Sequence, residues 1–291
     1  MSKEYVIMTD SSCDLPQEMA DRLGLEVLPL EVMADGKNYR NWLDGREIGF
    51  KEFYKLAREG KEIKTSAVNT AAFEEKMEKL LKEGKDILYI GFSAGLSTTY
   101  NSGESAAREL REKYPDRKIY TVDTLAASLG QGMITYYAAK KKEEGATIEE
   151  VRDFVESEKL HMCHWFTVDD LNYLKRGGRI SAATAAIGTM LSIKPVMHMD
   201  NEGHLVAVGK ARGRKAALKA LADSMESTML PGRNETIFIS HGDSLEDAEY
   251  LANLVRERTG VQDIVINYVG PVIGAHSGPG TIALFFWGSE R

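Results

Sequence analysis

The segment Asp86-Ile-Leu-Tyr-Ile-Gly-Phe-Ser-Ala-Gly-Leu-Ser-Thr-Thr-Tyr100 runs into Gly103-Glu-Ser-Ala-Ala-Arg-Glu-Leu-Arg111, and its reading decides the fold class. A short apolar run, a hydroxyl-rich turn and a helix-forming run in that order describe a strand leading through a loop into a helix. The first N–H groups of a helix have no internal partners, so such a turn suits an anionic group.

The same unit recurs on either side. Tyr5-Val-Ile-Met8 is a strand closed by Thr9-Asp-Ser-Ser-Cys-Asp14, and Asp14 with Gln17 fits a capping box for a helix through Leu23. Leu25–Leu28 reads as a strand, and Asp35-Gly36 as the turn of a hairpin. Ile48–Glu59 reads as helix. Thr70 is placed to cap a second helix, Ala71–Glu83, whose Phe73, Met77, Leu80 and Leu81 share one face. Lys118–Val122 and Leu125–Glu144 supply a further strand and helix. Alternating strands and helices imply a parallel sheet flanked by helices.

The second half reads differently. Helix Ile148–Lys159, strand Trp165–Val168 and a short helix Leu171–Arg176 precede a small-residue helix at Ala182–Leu191. A hairpin follows, Pro195–Met199 and His204–Val208 around Asp200-Asn-Glu-Gly203. Helix Lys215–Met225, strand Thr236–Ser240, helix Leu245–Arg258, strand Ile264–Tyr268 and strand Ile282–Trp287 complete the pattern. The expected architecture is α/β in two domains. Residues 1–157 form a mostly parallel sheet with flanking helices and a hairpin-containing insertion at about 28–64. Residues 158–291 form a mixed α/β domain.

At 291 residues the chain can bury a core in each domain, and 43% hydrophobic with 28% charged residues is the balance of an ordinary globular protein. No apolar run approaches the ~18 residues of a membrane helix. Met1-Ser-Lys-Glu-Tyr-Val-Ile lacks a signal-peptide core, and Cys13 and Cys163 have neither metal nor disulfide-framework spacing; a cytoplasmic location is expected. Cys163-His164 reads as packing. The net charge of −7 argues against nucleic-acid binding. Residues 175–219 nevertheless carry nine Lys/Arg against Asp200 and Glu202, a basic island that suits an anionic partner surface or a face neutralised by folding.

Several segments carry candidate chemistry. Gly91-Phe-Ser93-Ala-Gly95 matches the G-x-S-x-G nucleophile elbow, and Asp243 and His276 follow in the order of a hydrolase triad, so a serine esterase is one reading. Against it, Leu96-Ser97-Thr98 intervenes before the helix, Ser97 is the better cap, and an HGGG-like loop is lacking. Lys64-Thr65-Ser66 offers two hydroxyls before a helix, for capping or for a carboxylate. His276 lies in the glycine-rich Gly274-Ala-His-Ser-Gly-Pro-Gly280, and His241-Gly-Asp243 at a strand end. Asp10 and Asp14 lack the adjacent D-x-D pair of a metal-dependent phosphatase. Neither a dinucleotide fingerprint nor a Walker A run occurs, and no cofactor is expected.

In their order along the chain, these pieces resemble the DegV family of fatty-acid-binding proteins, acyl-carrying subunits of bacterial fatty acid kinase. The resemblance rests on Thr9-Asp-Ser-Ser-Cys-Asp-Leu15, Lys64-Thr-Ser66, Gly95-Leu-Ser-Thr-Thr-Tyr100, Val122-Asp-Thr124 and Leu174-Lys-Arg-Gly-Gly-Arg-Ile-Ser181. Ile193-Lys-Pro195, Lys210-Ala-Arg212 and Ala275-His-Ser-Gly-Pro-Gly280 extend it. It implies two α/β domains with a long-chain fatty acid such as palmitate between them, and no turnover of the chain's own. By resemblance, Thr65 and Ser97 bind the carboxylate with His276 beside them, and Ser66 and Thr98 add head-group contacts. Arg212 and Arg179 would dock a kinase subunit, with transient contact to an anionic membrane surface. The family often has Thr-Ser-Gln-Pro where this chain has Thr65-Ser-Ala-Val68, and glycine where it has Thr98. Met133, Met162, Met190, Met197 and Met199 are candidates for tunnel lining or for core.

Overall fold

The computed structural model describes residues 4–181 and 192–291. The helix expected at Ala182–Leu191, with Met190, lies outside the described residues.

Tyr5–Asp10 (β1), Glu26–Leu28 (β2), Asp86–Gly91 (β6) and Ile119–Asp123 (β7) form a parallel sheet in the order β2-β1-β6-β7. Strands β1 and β6 are buried along their whole length, as their continuous apolar runs require for a sheet covered on both faces. Helices Thr70–Lys82 (α3) and Thr99–Lys113 (α4) cover one face, through Phe73, Met77, Leu80 and Ala106. Helices Leu129–Glu143 (α5) and Ile148–Glu158 (α6) cover the other, with Met133, Ile134, Val151 and Val155.

An antiparallel three-stranded sheet is inserted between β2 and α3. It consists of Glu31–Ala34 (β3), Lys37–Arg40 (β4) and Ile63–Ser66 (β5), in the order β4-β3-β5, with helix Phe50–Arg58 (α2) between β4 and β5. Asp35 and Gly36 both take positive φ, the geometry of a two-residue hairpin turn.

The third sheet has the order β10-β9-β8-β13-β11-β12. Its members are Met162–Thr167 (β8), Ile193–Met199 (β9), Leu205–Arg212 (β10), Thr236–His241 (β11), Asp263–Tyr268 (β12) and Ile282–Trp287 (β13). All neighbours are antiparallel except β11 and β12. Helix Asn172–Arg176 (α7) follows β8. Helices Arg214–Thr228 (α8) and Leu245–Thr259 (α9) cover one face, where Leu218, Leu221, Leu251 and Val255 meet Ile237, Ile239, Leu284 and Phe286. The opposite face packs Phe238, Phe285 and Trp287 into the cluster that holds α5. Helix α5 therefore lies between the two large sheets, and its buried residues Leu129–Thr135 occupy every side of it, the pattern of a helix covered all round.

Three local expectations are corrected. Helix Gln17–Arg22 (α1) has Pro16 at its N-cap, because Asp14 turns inward at φ 51 and caps nothing there. Asn69, not Thr70, caps α3 by accepting the Ala72 N–H at 2.9 Å. Helix α5 starts at Leu129 and not at Leu125, since Leu125 and Ser128 both sit at positive φ. The glycine-rich segment with His276 falls on helix Pro271–Ser277 (α10), which begins with proline, a residue preset for that position.

Candidate functional site

A cavity of about 500 Å³ opens between the parallel sheet and the six-stranded sheet, beside the start of α5. Alternation along the strands builds one wall. Ala283 and Phe285 of β13 stand opposite Phe166 and His164 of β8, all on the side away from α8 and α9. Phe92 and Leu96 come from the loop after β6, Met199 and Leu205 from the β9–β10 hairpin, and Val272 and Ile273 from α10. Polar side chains, chiefly hydroxyls with His164, His276 and Arg179, interrupt this apolar lining, the mixed composition of a small-molecule site.

Several hydroxyls and an imidazole border the cavity. Strand β5 alternates, so Thr65, paired with Val32, faces inward while Lys64 is exposed. Thr65 Oγ1 lies 2.8 Å from His276 Nε2, 211 residues away. Ser97 borders the same cavity. Its Oγ accepts the Thr99 N–H at 3.2 Å and lies 2.9 Å from Thr99 Oγ1, so it does engage the first turn of α4. Ser66 and Thr98 are exposed lining residues, and the start of α4 contributes backbone donors and a positive dipole end.

His276 is held neutral: burial, and then the charge of Arg179, push its pKa down to about 4. Its Nδ1 is buried with no hydrogen-bond partner among the described residues. Gly177 passes so close that a Cβ there would stand 2.2 Å from Nδ1, which accounts for glycine at that position. Arg179 is half-buried in the cavity wall and donates through Nε and Nη2 to the Leu96 carbonyl at 3.2 and 2.9 Å. Arg179, expected with Arg212 to dock a partner, supports the loop that carries Ser97. Arg212 is exposed on the edge strand β10 with Lys210, and neither has an ion pair among the described residues. Elsewhere in the basic island Lys194 pairs with Asp169, and Arg214 with Asp169 and Asp247.

A second polar group borders the cavity at the start of α5, unrecognised from sequence. Ser128 Oγ lies 2.6 Å from Asp14 Oδ2 and 3.1 Å from Ser240 Oγ. Burial pushes the Asp14 pKa up to about 8, so the carboxyl is mostly protonated at neutral pH. The usable signal was Asp14 itself, but local spacing made it look like a cap. Asp10 is equally buried and accepts from Tyr89 and from the Ser12 and Phe92 N–H groups. Among the described residues no His, Cys, Asp or Glu group is arranged to hold a metal. Of the methionines, Met199 borders the cavity, whereas Met133, Met162 and Met197 belong to the core.

The esterase triad is not assembled. Ser93 is fully buried and its Oγ donates to the Gly203 carbonyl at 2.9 Å. His276 pairs with Thr65, and Asp243 with Arg58.

The family model described as "Uncharacterised protein, DegV family" matches residues 4–288. The chain belongs to the DegV family. A DegV domain-containing protein of Clostridium perfringens is 48% identical over 289 residues, covering 99% of each chain. Among solved structures, a DegV family protein from Thermus thermophilus, described for its fatty acid binding, superposes with a TM-score of 0.86 at 33% identity, over 98% of this chain and 99% of that one. A fatty-acid-binding DegV family protein from Streptococcus agalactiae gives a TM-score of 0.86 at 30% identity, over 99% and 100% of the two chains. The DegV fold thus accounts for the parallel sheet, the mixed sheet and the cleft between them.

Proposed function

We propose that this DegV-family chain binds a long-chain fatty acid such as palmitate, with the tail in the cavity and the carboxylate at the Thr65–Ser97–His276 pole. The observation that supports this reading is the chemistry of one space: a largely apolar hollow bordered by the hydroxyls of Thr65 and Ser97 and by the neutral imidazole that Thr65 meets. The fatty-acid-binding relatives from Thermus and Streptococcus support it.

The energetics favour reversible holding. Burying about fifteen methylenes at ~0.8 kcal/mol each yields ~12 kcal/mol gross. Lost translational freedom and chain ordering offset a substantial part. The head group needs only enough donors to replace the water its carboxylate gives up. Ser66 and Thr98, on the rim, add contacts to that end. Extraction of the purified protein under denaturing conditions, followed by mass spectrometry, tests the reading. A stoichiometric C16–C18 acid is expected; an empty protein that also fails to bind added palmitate overturns it.

In this reading the chain is a non-catalytic carrier. It shields the acyl tail in water and presents the carboxylate to a partner kinase, which performs phosphoryl transfer. The exposed Lys210 and Arg212 on edge strand β10 are the docking cations, and the same face makes transient contact with anionic membrane. Loss of acyl phosphorylation in Arg212→Glu, with palmitate binding intact, is the expected signature.

A further inference from the structure

We infer that Ser93 is a positioning residue: it locks the loop carrying Ser97 against the β9–β10 hairpin and so sets where the Ser97 hydroxyl meets a ligand carboxylate. The inference rests on the fatty-acid reading above and assigns a task to the serine that sequence pattern offered as a nucleophile.

Every polar group of Ser93 is committed. Its N–H donates to the Ala126 carbonyl at 3.0 Å, and its carbonyl accepts the Leu96 and Ser97 N–H groups at 3.0 and 3.1 Å. Its Oγ accepts the Gly95 N–H at 3.2 Å and donates to the Gly203 carbonyl at 2.9 Å. One residue therefore folds the turn that ends at Ser97 and ties it to the tip of a hairpin more than a hundred residues away. The hairpin's strands flank the cavity with Met199 and Leu205. The fit is close: a Cβ on Gly95 would stand 2.9 Å from the Gly203 carbonyl oxygen and 3.0 Å from that of Glu202. Arg179 pins the same turn a second time, at the Leu96 carbonyl.

The reason such a lock matters is that the head-group donors come from three separate elements. Thr65 lies on β5, His276 on α10, and Ser97 on a loop. A constellation of this kind works only when its supporting shell holds it to within about 0.5 Å. Tail binding makes no such demand, because apolar burial is non-directional. Loosening the lock should therefore weaken recognition of the acid head and leave the grip on the hydrocarbon tail unchanged.

The experiment compares palmitic acid with hexadecanol, which has the same tail and a neutral head, by equilibrium titration of the full-length protein. The variants are Ser97→Ala, Ser93→Ala and Gly95→Ala; the last keeps the serine but crowds the Gly203 carbonyl at the hairpin turn that its hydroxyl meets. Ser97→Ala is expected to lower the acid-over-alcohol preference by about tenfold, the loss of one hydrogen bond to a charged group. Ser93→Ala and Gly95→Ala should each lower it by about threefold or more, with hexadecanol affinity within about twofold of wild type. If both variants keep the wild-type preference, or weaken the two ligands equally, Ser93 is merely structural and the inference is overturned. If Ser97→Ala itself leaves the preference unchanged, the head-group assignment fails and the inference falls with it.

Discussion

Replacing Thr65 by valine removes one hydroxyl and nothing else of consequence. Valine has nearly the same shape, is at home in a strand, and would still face Val32 across the β3–β5 pair. Two effects follow from the structure. The hydroxyl lost is the partner of His276 Nε2, and Nδ1 already lacks one among the described residues, so the substitution leaves both nitrogens of a buried imidazole unpaired. That costs about 1–3 kcal/mol of stability, or a fall in melting temperature of a few degrees for a chain of this size. The second effect is on binding. A hydrogen bond to a carboxylate contributes about 1.5–3 kcal/mol, so Kd for palmitate should rise about ten- to 150-fold. Calorimetric titration at a temperature where both proteins are folded measures it, with Thr65→Ser as the control that restores the hydroxyl and most of the affinity. A Kd within twofold of wild type, in Thr65→Val and in the double variant with Ser97→Ala, would show that neither hydroxyl holds the carboxylate.

Three further outcomes are expected. An unfolded Asp14 loses its proton near 3.8 and the buried one near 8, so between these values only the folded state holds that proton. Its contribution to stability therefore declines as pH rises through this window, and Asp14→Asn should flatten that part of the urea-denaturation profile; an unchanged slope would place the titration elsewhere. Gly177→Ala drives a methyl into His276 Nδ1 and should depress palmitate affinity at least as much as His276→Ala; retained affinity would mean that the imidazole is not part of the head-group pole. Arg212→Glu, on an exposed strand edge, should leave palmitate affinity and melting temperature unchanged while acyl phosphorylation by a partner kinase falls; undiminished phosphorylation removes the docking role.

Much of the local structure was legible because it follows from short-range periodicity. The apolar runs at Tyr5–Met8 and Asp86–Ile90, the Asp35-Gly36 turn and the terminal strand Ile282–Trp287 each carry their own signal. Errors fell where a long-range contact overrides a local preference. Asp14 has the spacing of a cap, but its carboxyl is drawn to Ser128, 114 residues on. Leu125-Ala-Ala-Ser128 looks like the first turn of a helix, yet two positive φ values hold it open where the cavity begins. Ser93 fits a nucleophile pattern, and the tertiary structure gives its hydroxyl to the Gly203 carbonyl.

The chain's periodicity and motif order therefore determined by themselves an α/β protein of the DegV type, together with the residues worth testing, Thr65, Ser97 and His276. Only the folded molecule decided that Thr65 meets His276, that Arg179 faces the cavity while Arg212 faces water, and that Ser93 is a tie. Helix and strand periods are set by neighbours a few residues apart, which the sequence displays. A cavity is set by which distant surfaces fail to close on one another, and that is fixed only when the sheets pack around α5.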